Sequence, residues 1–138
     1  MAYISSFTYC DNIQTEMTPQ GPRNQIVNPI QILAPVAVPG NYSFAIACNI
    51  AGFDIEVENT IRIQFGISSE EVIYDTGEIK FQVPKEQIKA DKPGVMQFNL
   101  DMRNLIFKKT GTYITKVFVN TEQIGEYGIE VIEGGING

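Results

Sequence analysis

Four segments of the chain alternate apolar and polar positions with a period of two, the pattern of strands buried on one face. In Asn41–Ile50, Tyr42, Phe44, Ile46, Cys48 and Ile50 fall on one side, and Ser43, Ala45, Ala47 and Asn49 on the other. Thr60–Ile67 turns Ile61, Ile63, Phe65 and Ile67 inward, and Val95–Met102 does the same with Met96, Phe98, Leu100 and Met102. In Gly111–Asn120, Tyr113, Thr115, Val117 and Val119 interleave with Ile114, Lys116 and Phe118, so this strand is expected to be covered on much of both faces. Weaker runs predict strands over Tyr3–Cys10, Gln25–Leu33, Glu71–Tyr74, Ile79–Val83 and Gln123–Val131. Asp75-Thr76-Gly77 and Asn120-Thr121-Glu122 have the residues of hairpin turns. Asp11–Asn24 reads as a polar loop. Pro84–Ala90 is the one helical candidate: it opens on proline and stops before Lys92-Pro93-Gly94.

About nine short strands with one short helix predict an all-β fold, an antiparallel sandwich of two sheets. Without repeat or linker, residues 1–133 form one domain and 134–138 a glycine-rich tail. The 138 residues are 43% hydrophobic and 19% charged, enough apolar mass for a core that needs no disulfide or metal.

One segment narrows the class. Gly111-Thr112-Tyr113, followed by alternating apolar residues to Asn120, resembles the corner and strand F of immunoglobulin-like domains. The resemblance implies that Tyr113 buries its ring and bonds its hydroxyl to backbone a few residues upstream. Thr115 stands where antibody-type domains carry their second bridging cysteine, and the chain has no tryptophan. The resemblance is therefore to the disulfide-free immunoglobulin-like sandwiches of bacterial, phage and fibronectin-type modules, which share no single function.

Charge and residue chemistry then exclude function classes. Sixteen acidic against ten basic residues leave a net charge of −6, which repels nucleic acid and anionic membranes. The apolar stretch Ile30–Pro39 is broken by prolines, so no membrane span is expected. Without a secretion signal the expected compartment is the cytoplasm, where Cys10 and Cys48 remain free thiols. The absence of histidine removes Ser-His and Cys-His nucleophile pairs and histidine metal sites. No phosphate-binding loop or dinucleotide fingerprint occurs, and no cofactor is expected.

Three constellations remain. Val72-Ile73-Tyr74-Asp75-Thr76-Gly77 resembles the Asp-Thr-Gly signature of retropepsin-like aspartic proteases, in which two carboxylates share a proton. Glu78 in place of a small residue, and the poor second element Gln123-Ile124-Gly125, favour a turn. Asp54, Glu56 and Glu58 alternate with Ile55 and Val57, which on a strand projects three carboxylates from one face. A hard cation needs more oxygens and a wrapping loop, so these acids are expected to serve solvation, edge protection or a partner, not a metal. Eight of the ten basic residues lie between Lys80 and Lys116. Lys85, Lys89 and Lys92 on the short helix, with Lys108 and Lys109 on a loop, form a candidate anion or partner site.

By elimination, the expected function is non-enzymatic: a binding or assembly module of a bacterium or phage, acting through loops and sheet edges, with a protein partner or self-association between its segregated charges. The second expectation is a phage-type inhibitor or sponge that holds a small anionic ligand or blocks a host defence enzyme. A homodimeric aspartic protease stands third.

Overall fold

In the computed structural model, which describes residues 2–68, 71–82 and 94–134, the alternating runs become ten strands arranged in two sheets. They are β1 (Tyr3–Thr18), β2 (Gly21–Pro29), β3 (Ile32–Leu33), β4 (Gly40–Phe53), β5 (Asn59–Ser68), β6 (Glu71–Asp75), β7 (Ile79–Phe81), β8 (Gly94–Phe107), β9 (Gly111–Val119) and β10 (Glu122–Val131). The first sheet has the order β2-β1-β4-β8, and the second the order β3-β10-β9-β5-β6. β7 lies beside β6 on the same edge of β5. Every pairing is antiparallel except that of β3 with β10.

The four periodic segments supply the core. Phe44, Ile46, Cys48 and Ile50 of β4 face Ile61, Ile63 and Phe65 of β5 and Tyr113, Val117 and Val119 of β9 across the sandwich, all buried. Phe107 and Tyr113 meet edge to face at 5.2 Å between centroids, and Phe65 lies 5.6 Å from Tyr113. Such aromatic pairs add to the energy of area burial alone. On β8, Met96, Phe98 and Leu100 are only half-buried, because that strand is the edge of the first sheet among the described residues.

Tyr113 is 2% exposed, and its hydroxyl donates to the Lys109 carbonyl at 2.7 Å, four residues upstream. The phenol closes the loop between β8 and β9, as the corner resemblance implies. Tyr113→Phe is expected to lower the unfolding free energy by about 0.5–1.5 kcal/mol, the net worth of one such bond. Unchanged stability in urea titration would show that the corner is not fastened there.

A second phenol joins the sheets. Tyr9 Oη of β1 lies 2.6 Å from Thr115 Oγ1 of β9 and donates to the Tyr127 carbonyl of β10 at 3.1 Å. Thr115 is fully buried. At the position of a bridging cysteine in antibody-type domains, this chain uses a hydrogen-bonded threonine.

Several sequence expectations are corrected by the structure. The loop expected over Asp11–Asn24 is instead the outer half of a long hairpin, paired from Cys10↔Pro29 to Thr18↔Gly21. Its ladder is held by backbone bonds and has no buried face, so it left no apolar period to read. The run Gln25–Leu33 splits at Ile30, where the chain leaves the first sheet and enters the second as β3. Asp75-Thr76-Gly77 is not a hairpin turn: between Gln64↔Asp75 and Ile61↔Ile79, three residues oppose two, which makes a bulge within one edge. Gly77 takes φ +68° there, a conformation glycine adopts without strain. Asn120 and Thr121, both at positive φ, do form the expected hairpin, a tight two-residue turn between Val119 and Glu122. The helix expected over Pro84–Ala90 lies outside the described residues, as does the end of the tail.

Candidate functional site

Asp54, Glu56 and Glu58 do not form a row on a strand. They lie in the turn between β4 and β5, where the Asp54 carboxylate accepts from the Glu56 amide at 2.9 Å. Asn59 organises this turn from beneath. Its side-chain amide donates to the carbonyls of Asp54 and Val57 at 2.9 and 3.1 Å and accepts from Asn120 Nδ2 at 2.8 Å. Glu58 pairs loosely with Lys80 at 3.9 Å. Among the described residues, no group of three or more acidic or cysteine side chains gathers to hold a metal.

Asp75 sits at the bulge of the β6–β7 edge and is saturated with donors. Arg62 grips it in two-pronged fashion, Nε to Oδ1 at 3.0 Å and Nη2 to Oδ2 at 2.6 Å. Gln64 Nε2 and the Gly77 amide donate to it at 3.1 and 2.8 Å. The Arg62 bond first, then those from Gly77 and Gln64, hold its carboxyl well below the usual carboxylate range. Thr76 Oγ1 meanwhile takes the Ile63 amide at 3.0 Å, replacing the ladder bond that the bulge removes. These residues are fully employed in holding a strand edge together.

The basic candidates divide. Lys85, Lys89 and Lys92 lie outside the described residues. Lys108 and Lys109 stand exposed on the β8–β9 loop, and Lys109 pairs with Glu71 at 3.3 Å while its carbonyl receives Tyr113. The structure therefore brings Lys109 to an acid of this same chain.

The most prominent surface element is one the sequence reading passed over. Among the described residues, β1 pairs with β4 from Tyr3 to Cys10, and beyond that its one partner is β2. Residues 11–29 thus form a two-stranded arm with a reach of up to about 25 Å at the usual rise per residue. Its ladder carries the pairs Arg23–Glu16 at 3.4 Å and Thr18 Oγ1 to the Gly21 carbonyl at 2.6 Å. Ile13, Thr15 and Met17 share one face with Ile26, Asn24 and Pro22 opposite them. Met17 is 76% exposed and Ile26 39%. At the base, Arg103 Nη2 donates to Asn12 Oδ1 at 3.3 Å, and a cavity of about 130 Å³ separates Ile13, Thr15 and Asn24 from Asn99 and Asp101 of β8. The clue in the sequence was Thr18-Pro19-Gln20-Gly21, turn residues between two polar runs that match in length.

A larger cleft, about 390 Å³, opens on the side where the two sheets meet, lined by Phe7, Thr8 and Tyr9 of β1, by Pro29, Ile30 and Gln31, and by Tyr127, Gly128 and Ile129 of β10. Phe7 stacks on Tyr127 at 4.1 Å across its floor.

A first edge that crosses from one sheet to lie parallel with β10 in the other, together with the tyrosine corner, defines an immunoglobulin-like β-sandwich. Within that class the chain belongs to DUF6941, a family of unknown function, matched over residues 5–132. No curated protein matches it in sequence. Among solved structures it is similar to the alkylpurine DNA glycosylase of Pseudomonas fluorescens bound to DNA containing an abasic site analog, at 11% identity and a TM-score of 0.46, over 95% of this chain and 30% of that one. It is also similar to an immunoglobulin-like protein of Pseudomonas aeruginosa, at 11% identity and a TM-score of 0.37, over 96% of this chain and 97% of that one. The chain spans less than a third of the glycosylase chain it resembles.

Proposed function

We propose that this domain is a non-enzymatic binding or assembly module whose docking element is the β1–β2 arm. The observation that carries this reading is the arm's exposure. A two-stranded ribbon with little core of its own is marginal in water, and Met17 at its far end is 76% exposed. An apolar side chain held that far from the core gains nothing for folding, whereas burial against a partner is worth about 1.5–3 kcal/mol. The catalytic alternative has weak support in comparison. Asp75 is gripped by Arg62, Gln64 and Gly77, whereas a protease dyad needs a carboxyl free to share a proton. The anion-sponge alternative draws no help from Lys109, which is paired with Glu71.

In its simplest form the module assembles with copies of itself. Sedimentation velocity at rising protein concentration should then show reversible association, and the double substitution Met17→Lys with Ile26→Lys should abolish it. Both positions are exposed, so the fold should lose no more than about 0.5 kcal/mol each. A wild-type chain that stays monomeric, or an oligomer indifferent to the double substitution, would remove the arm as the site of assembly.

A further inference from the structure

We propose that a pocket on the outer face of the second sheet binds a neutral saccharide ring, stacked on Phe118 and held at its hydroxyls by Arg62 and Glu78. The site is separate from the arm, and the inference stands without it. The alternation of β5 and β9 buries Ile61, Ile63, Val117 and Val119 in the core, so Thr60, Arg62 and Phe118 point the other way, to the outer face. Arg62 stands directly across from Phe118 in the β5–β9 ladder. With Thr121 of the β9–β10 turn and Glu78 just before β7, they line a pocket of about 190 Å³. Phe118 is its apolar wall. Of the eight phenylalanines, the others each lie against another ring. Among the described residues Phe118 has no ring partner, and it stands half-buried on the solvent side of the sheet.

The polar groups around this ring specify the class of ligand. Asp75 holds Arg62 by Nε and Nη2 at 3.0 and 2.6 Å, which fixes the guanidinium and leaves Nη1 without a partner among the described residues. Glu78 is exposed, and among the described residues no cation pairs with it. Thr60 is fixed through its backbone, whose amide and carbonyl both bond Asn120, at 2.9 and 3.0 Å. The pocket thus offers a charged donor, a charged acceptor and the hydroxyls of Thr60 and Thr121, which do either. An anion meets Glu78 and a cation meets Arg62, each against like charge; a neutral polyol meets neither. Two lysines of the same face are met by acids and add no net charge: Lys80, across from Thr60, pairs with Glu58 at 3.9 Å, and Lys116 lies across from Glu126. A pyranose carries hydroxyls around its rim and C–H bonds on its face, and the negative face of a phenyl ring attracts those C–H bonds. Neighbouring hydroxyls accept from Arg62 and donate to Glu78 together, bridging the two walls.

The test titrates the whole chain with the methyl glycosides of glucose, galactose, mannose and N-acetylglucosamine and follows the backbone amides by NMR. At least one glycoside should shift the Thr60, Arg62 and Phe118 amides, with a Kd on the order of 1 mM for a ligand of about a dozen heavy atoms. Its affinity should be the same at about 0.1 M and about 1 M salt, since the ligand has no charge to screen. Phe118→Tyr keeps the ring face and should bind as the wild type does, whereas Phe118→Leu should bind at least about threefold more weakly. Glu78→Gln, at an exposed position, should weaken binding about three- to tenfold. If no glycoside moves these amides, or if Phe118→Leu binds as tightly as the wild type, the pocket is not a saccharide site. Stronger shifts with acetate or butylammonium would make it an ion site, and tighter binding of adenosine would make it a base-stacking site; either result overturns the proposal.

Discussion

Between pH 9 and pH 12 the domain is expected to lose a large part of its stability. Burial pushes the Cys48 thiol from 9.0 up to about 12. It does the same to the Tyr9 phenol, from 10.0 up to about 12, with the Thr115 hydrogen bond opposing. Both groups are neutral when protonated, and both hold the proton more tightly folded than unfolded. Their contribution is therefore fully present below the unfolded values of 9.0 and 10.0 and is lost as pH rises through the folded values. At about 1.4 kcal/mol per unit, the two together withdraw roughly 6 kcal/mol by pH 12, against a total of about 5–15 kcal/mol for a domain. Urea midpoints at pH 8, 10 and 12 measure this loss. Cys48→Ala is expected to lower the midpoint at pH 8 and to lessen the decline between pH 9 and 10, because one of the two thiols that ionise first in the unfolded chain is gone while Cys10, whose thiol burial also raises, remains. A midpoint unchanged up to pH 11 would show that neither group is as buried as the structure places it.

Asn59→Ala is expected to cost about 2–4 kcal/mol, near the upper end for a single polar substitution. Asn59 is 1% exposed, and its amide satisfies the carbonyls of Asp54 and Val57 and the Nδ2 group of Asn120. Asn120 in turn accepts the Thr60 amide at 2.9 Å and donates its own to the Thr60 carbonyl at 3.0 Å. Truncation thus unties the β4–β5 turn from the β9–β10 hairpin and strands several polar groups at the end of the sandwich. Asn120→Ala alone should cost less, since Asn59 keeps its two bonds to the turn. The double variant should then fall short of the sum of the single costs, as for residues in one network. Fully additive losses would mean that the two asparagines act independently.

Much of the fold was legible because burial on one face imposes a period. The strands around Phe44, Ile63 and Val117 were readable from alternation alone, and Tyr113 at its corner was identifiable from the glycine two residues before it and the alternation that follows. The arm was not legible for the same reason: residues 12–28 pair through backbone bonds, and those do not select side chains. The acids at Asp54, Glu56 and Glu58 were placed on a strand because alternation also arises by chance in a short turn. What distinguished the two was Asn59, whose three bonds reach residues up to 61 positions away.

The sequence by itself determined the class of fold, the burial of Tyr113 and the lack of histidine chemistry, since periodicity, a local corner and composition depend on near neighbours or on none. Only the tertiary structure decided that Asp75 is spent on Arg62 and Gln64, that Thr115 bonds Tyr9 across 106 positions, and that β10 borders an aromatic cleft with β1. Each of these depends on which strands become neighbours. That choice is made by the packing of two whole sheets and leaves no mark on the residues taken one segment at a time.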